Sequence, residues 1–189
     1  MKQHILDTLE ESISVKKEFI STHTALIEKA ALFLAQALDK GNKILLFGNG
    51  GSAADAQHIA AEFVNRFQIE RPPLAAIALT CDTSVITSIG NDYAFEDIFL
   101  KQVQALGKPG DVVMAITTSG NSPNVIKAVK AARSMEMTIM GLSGGKGRLK
   151  ELSDFPFAVN ATSTARIQET HITLAHILCD LTERSLFNG

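Results

Sequence analysis

The chain has 189 residues, 46% of them hydrophobic and 20% charged, an ordinary globular composition that excludes a disordered polymer. A formal net charge of −2 argues against a nucleic-acid surface, since phosphate backbones select basic faces. Two cysteines, Cys81 and Cys179, without CxxC or other metal spacing argue against a disulfide framework and read as small buried apolar residues.

The first twenty residues are too charged for a secretory leader, and no apolar run approaches the roughly 20 residues of a bilayer span. The expectation is a soluble, cytoplasmic protein with no membrane partner. Two helices come first, over 2–20 and 22–40: Ile5, Leu9 and Ile13, then Ile27, Ala31, Leu34 and Leu38, recur at helical spacing. Gly41 ends the second. A short apolar run at 43–48 reads as a strand covered on both faces, followed by a helix from Ser52. Then come a strand at 74–79, helices at 84–90 and 95–107, a strand at 111–117 and a helix at 122–135. The last of these has Ser122 at the N-cap and Pro123 at N1. Strands at 138–144 and 155–160 and a helix at 164–186 complete the chain. Strand–helix alternation predicts an α/β fold, a parallel sheet between helices; without repeat or linker, residues 1–189 read as one domain.

In such sheets ligands bind outside the carboxyl ends of the strands. Three Gly/Ser/Asn-rich turns fall there, GNGGS (48–52), TTSGNS (117–122) and LSGG (142–145), and the first two read as the site. In GNGGS, Asn49, Gly50, Gly51 and Ser52 open a helix whose free N–H groups favour an anion. Equally, this is a tight turn capped by Ser52 and Asp55. Neither GxGxxG nor GxxxxGK[ST] is present, so no dinucleotide or nucleoside triphosphate is indicated. Thr117, Thr118, Ser119 and Ser122 set four hydroxyls around a strand-to-helix turn without a Lys or Arg, which suits a small phosphate monoester.

His58 and Glu62, at i and i+4, share a helix face and can reach one ion. The last helix adds Gln168, His171 and His176 on an otherwise apolar segment, where polar groups need partners. For His171 a hydrogen-bonded core position is the expected one. Gln168 and His176 are eight residues apart, about 12 Å along a helix, so one metal takes both only by full extension or from different chains. Asn91 and Asp92 read as a loop between helices that either binds hydroxyls or turns the chain.

GNGGSAADAQHIAAE, IGNDYAFEDIF, TTSGNSPNVIKA and RIQETHITLAH, in this order and spacing, resemble the phosphoheptose isomerases of the sugar-isomerase (SIS) domain superfamily. The resemblance covers nearly the whole chain. It implies a flavodoxin-like α/β/α sandwich with added N-terminal helices, assembled as a homotetramer with sites at subunit interfaces. It also implies one zinc per subunit on His58, Glu62, Gln168 and His176. Sugar contacts fall on Asn49, Gly50, Gly51, Asn91 and Asp92, and a phosphate loop on Thr117, Thr118, Ser119 and Ser122. The implied reaction converts D-sedoheptulose 7-phosphate to D-glycero-D-manno-heptose 7-phosphate for lipopolysaccharide core or another surface glycan, with Glu62 as base and His176 as acid. Ala165 departs from relatives with Asp before the Arg of RIQE, so no contact of that Asp carries over. Two segments, VNRFQIERP (64–72) and CDLTERSLF (179–187), also resemble a non-enzymatic relative that binds the replication initiator DnaA. That relative lacks the Glu and the second His of the metal set, both present here, so the enzyme reading is preferred.

Overall fold

The computed structural model describes residues 1–187. Its elements are α1 (Lys2–Asp39), β1 (Ile44–Gly48), α2 (Gly51–Val64), β2 (Ala76–Ala78), α3 (Thr83–Asp92), a short 3₁₀ turn (Phe95–Asp97) and α4 (Ile98–Leu106). They continue as β3 (Val112–Thr117), α5 (Pro123–Ser134), β4 (Thr138–Gly144), a second 3₁₀ turn (Leu149–Leu152), β5 (Phe155–Val159) and α6 (Thr164–Phe187). The strands form one parallel sheet in the order β2-β1-β3-β4-β5. No described helix is long and apolar enough to cross a membrane.

Alternation along the strands splits the core into two layers. Ile44 and Leu46 of β1 and Val112 and Met114 of β3 face α1, α2 and α6. Leu45, Phe47, Val113 and Ala115 face α3, α4 and α5. Both faces of β1 and β3 are fully covered, which is why these strands read as unbroken apolar runs.

The N-terminal region is one helix of 38 residues, not two. No Gly or Pro lies between the two expected segments, and the Ser/Thr cluster there is absorbed into the helix. Ser21 and Thr22 hydroxyls donate to the Glu18 carbonyl and Thr24 to that of Ile20. The expected loop at Asn91 and Asp92 is likewise the last turn of α3, which continues to Asp92. Ser52 does not cap α2; Gly50, at φ 56°, takes that position, and Asp55 makes no capping bond. Ser122 does hold the N-cap position before Pro123, but its hydroxyl bonds Thr117 rather than a helix N–H.

His171 lies in the core, 1% exposed, with Nε2 3.2 Å from the Ser143 carbonyl at the end of β4. A carbonyl can only accept, so Nε2 carries the proton and the buried Nδ1 has no partner. Burial lowers its pKa from 6.5 to about 4, with the Ser143 contact opposing. A lowered imidazole pKa means that the unfolded chain takes up a proton the folded chain refuses. Stability should therefore be full above pH 6.5 and fall as pH drops toward about 4, by roughly 3 kcal/mol over the window. Denaturant unfolding of the protein and of His171→Gln across this range should show the limb in the first and a flatter profile in the second.

Candidate active site

The first turn owes its shape to glycines. A Cβ on Gly48 would lie 2.7 Å from the Ile116 carbonyl and the Ser52 Cβ, so only glycine lets α2 close onto the sheet there. Beyond it, Asn49 and Asn124 form a reciprocal amide pair at 2.9 and 2.8 Å, and Asn124 is 2% exposed. The pair ties the turn after β1 to the first turn of α5.

In the second turn, Thr117 Oγ1 lies 2.7 Å from Ser122 Oγ and 3.2 Å from Ser119 Oγ, while Ser119 Oγ also accepts from the Asn121 N–H. Thr117 is buried and acts within the loop. Thr118 and Ser119 face a cavity of about 720 Å³ shared with Gly144, Lys146, Thr162 and, from α1, Glu11. The LSGG turn, set aside on sequence, therefore belongs to the site, and Lys146 brings a cation to a loop that has none of its own.

His58, Glu62 and His176 form a second focus. Their ligand atoms all lie within 4.8 Å of one another, and His58 Nε2 is 3.0 Å from Glu62 Oε1. Imidazole and carboxylate donors at this spacing need only small rotations to close on a zinc-like ion at roughly 2.0–2.2 Å, so the set fits a divalent metal. The His176 ring is flanked by the edge of His58, centroids 5.1 Å apart, and by the stacked face of Phe67 at 5.4 Å. One turn before His58, Asp55 keeps Oδ2 buried without a partner; burial raises its pKa and nearby His58 lowers it.

Gln168 reaches the neighbourhood from α6 at the start of α2. A Cβ on Gly51 would meet its Nε2 at 2.4 Å, which puts the amide beside the start of α2. Gly51 precedes His58 by seven residues, roughly 10 Å along the axis. Asn91 and Asp92 are exposed, and Asn91 Nδ2 donates to Asp92 Oδ1 at 2.8 Å. They end α3, on the layer opposite α2 and α6. Sequence reasoning missed Asn124, Lys146, Asp55 and Phe67. The signals were present in TTSGNSPN, in the Lys after LSGG, and in the spacing of Asp55 three residues before His58.

A SIS-domain model matches residues 9–144. A phosphoheptose isomerase of Solidesulfovibrio magneticus is 52% identical over 98% of this chain and 91% of its own length. The solved phosphoheptose isomerase GmhA of Neisseria gonorrhoeae superposes with a TM-score of 0.88 at 45% identity, covering 96% of this chain and 98% of the other. That of Francisella tularensis gives 0.92 at 41% identity, covering 96% and 97%. The chain belongs to the phosphoheptose isomerase family of SIS-domain proteins.

Proposed function

We propose that this chain is an aldose–ketose isomerase converting D-sedoheptulose 7-phosphate to D-glycero-D-manno-heptose 7-phosphate, supplying heptose for lipopolysaccharide core or another surface glycan. The convergence of Glu62 and His176 on one point beside His58, in a chain half identical to phosphoheptose isomerases along its length, carries this reading. The substrate needs protein groups at both ends, a phosphate at C7 and a carbonyl at C2. Thr118, Ser119 and Ser122 take the phosphate through hydroxyls and N–H groups at the start of α5, with Lys146 facing the same cavity. Asn49, Gly50, Gly51 and Ser52 line the sugar's path.

Isomerisation moves a proton from C1 to C2 while the carbonyl oxygen gains a proton and the C1 hydroxyl loses one. Glu62 removes the C1 proton and returns it at C2. His176 donates to the C2 oxygen and accepts from the C1 oxygen, so both residues end as they began. Zinc held by His58, Glu62 and His176 would polarise the substrate oxygens. Ligation weakens a carboxylate as a base, so ligating and abstracting are alternative states of Glu62. Gln168, two turns before His176 on α6, would complete that set either by leaning toward it or from a second copy. Asn91 and Asp92, which end a helix on the far layer, join from a second copy.

A homotetramer with shared sites accounts for these absences. The first half of α1 supports it: Ile5, Leu6, Leu9 and Ile13 are 67%, 55%, 54% and 45% exposed, a stripe no other described element covers. Apolar stripes of this kind mark interfaces.

Glu62→Gln keeps size and shape but removes the base, so kcat should fall by about 10²–10⁴-fold while the fold is retained. Purified protein should carry about one zinc per chain by elemental analysis, and a chelator should abolish activity reversibly. Wild type that stays inactive with zinc restored would sink the reading.

Ser119→Ala should raise KM with little change in kcat, because phosphate is held alike in ground and transition states. Steady-state kinetics in which Ser119→Ala, Ser122→Ala and the double variant all keep the wild-type KM would remove the loop from the site.

Replacing Ile5, Leu9 and Ile13 together by Ser should lower the assembly state, read by light scattering, and reduce kcat in step. A fully active dissociated monomer would show that the site is complete in one chain.

A further inference from the structure

The two segments that resemble the DnaA-binding relative meet in the interior. Glu183, 0% exposed, accepts the N–H groups of Phe67, Gln68 and Ile69 at 2.7, 2.9 and 3.1 Å, and Arg71 Nε at 2.7 Å. Arg71 spends its remaining donors on main-chain carbonyls: Nη1 on Phe63 at 2.8 Å and Pro72 at 3.0 Å, Nη2 on Glu62 at 2.8 Å. Burial alone would raise the Glu183 carboxyl, but these amides and Arg71 hold it below its ordinary value. A buried ion pair contributes little net stability, because desolvation cancels most of the attraction. What it does provide is a fixed geometry.

That geometry controls one ring. Residues 65–75 contain no helix or strand; Leu74 and Ala75 tie the end of this connection to Phe63 and Ile44 through the main chain, and its first part, through Pro72, is tied by the pair. Phe67, whose N–H is the shortest of the three amide contacts, stacks on His176 with an interplanar angle of 24°. His176 and Glu183 are seven residues apart on α6, two turns along one face. Among the described residues the His176 ring is held by aromatic neighbours, Phe67 on its face and His58 at 70°, rather than by a hydrogen bond. An imidazole that ligates or transfers a proton normally has its orientation fixed by a second partner. Phe67 fills that place.

We propose that Phe67, locked by the Arg71–Glu183 pair, is a positioning residue that fixes the His176 imidazole for metal ligation and proton transfer. The inference rests on the isomerase reading for the second of these roles and on the His58–Glu62–His176 cluster for the first.

The test uses intact protein stripped of metal and titrated with zinc or with cobalt, whose visible spectrum reports ligation. Phe67→Leu should weaken metal affinity by roughly ten-fold and lower kcat by about as much, with KM near wild type and the melting transition still cooperative. Phe67→Tyr, which keeps the stacked ring, should recover both. Arg71→Lys should reproduce the Phe67→Leu effects, and if it fails to fold the Phe67 pair decides alone. A Phe67→Leu protein with wild-type affinity and kcat overturns the proposal, as does wild type that binds neither zinc nor cobalt. If wild type binds metal in a Phe67-dependent way yet does not isomerise the sugar, the positioning role stands and the activity reading falls.

Discussion

The parallel pairing of β1 with β3, from Ile44 opposite Val112 to Gly48 opposite Ile116, governs the rest of the molecule. The chain leaves β1 for β2 on one side and returns to β3 on the other, so the strand order reverses between these neighbours. At such a point the two following turns splay apart and leave a crevice at the carboxyl ends. The Asn49–Asn124 amide pair bolts its two walls together. The buried Asn124 thus donates once through its amide nitrogen to Asn49, while its amide oxygen accepts from Asn49 and from the Val125 N–H. The turn after β1 and the start of α5 are therefore fixed to one another by the fold itself.

Element types and order were legible because the central strands are buried on both faces. A strand with no solvent side, such as β3, reads as an apolar run whatever its neighbours do. The N-terminal break was misread for a local reason: Ser21, Thr22 and Thr24 carry the chemistry of a cap, and only the helix they join shows their hydroxyls folded back on the preceding turn. His58 and Glu62 were legible through helical spacing, whereas His176 joins them across 114 residues, a distance only tertiary structure closes. Lys146 and Phe67 were illegible for the same reason. Lys146 follows LSGG, the turn not read as part of the site, and the placing of Phe67 depends on Arg71 and Glu183, which no local pattern connects to it.

One helix serves several ends at once. α6 begins at the cavity, places Gln168 against the bare Cα of Gly51, buries His171 under β4, brings His176 to His58 and Glu62, and carries Glu183 in its last turns. Near its start Arg166 also donates to the Thr8 carbonyl and Glu169, which in turn accepts from Ser12, so the same helix carries α1. Arg166 Nε, His171 Nδ1 and Thr182 Oγ1 of this helix stay buried without a partner; Cys179, lying among Glu62, Glu183 and Arg71, is kept protonated by burial and the two carboxylates. A substitution in α6 will seldom affect a single property, since its faces touch the sheet, α2 and α1 together.

The hydroxyl-built loop at Thr118 and Ser119 bears on how the site tells one anion from another. A pocket crowded with Lys and Arg attracts every anion through its field, and that attraction fades as ionic strength rises. Here Lys146 and Glu11 both line the cavity, so charges of both signs face it. Hydroxyls offer short directional contacts, which salt screens far less than a long-range field. On the phosphate reading proposed above, such a loop would select a monoester by shape more than by potential, with capture owing little to long-range steering.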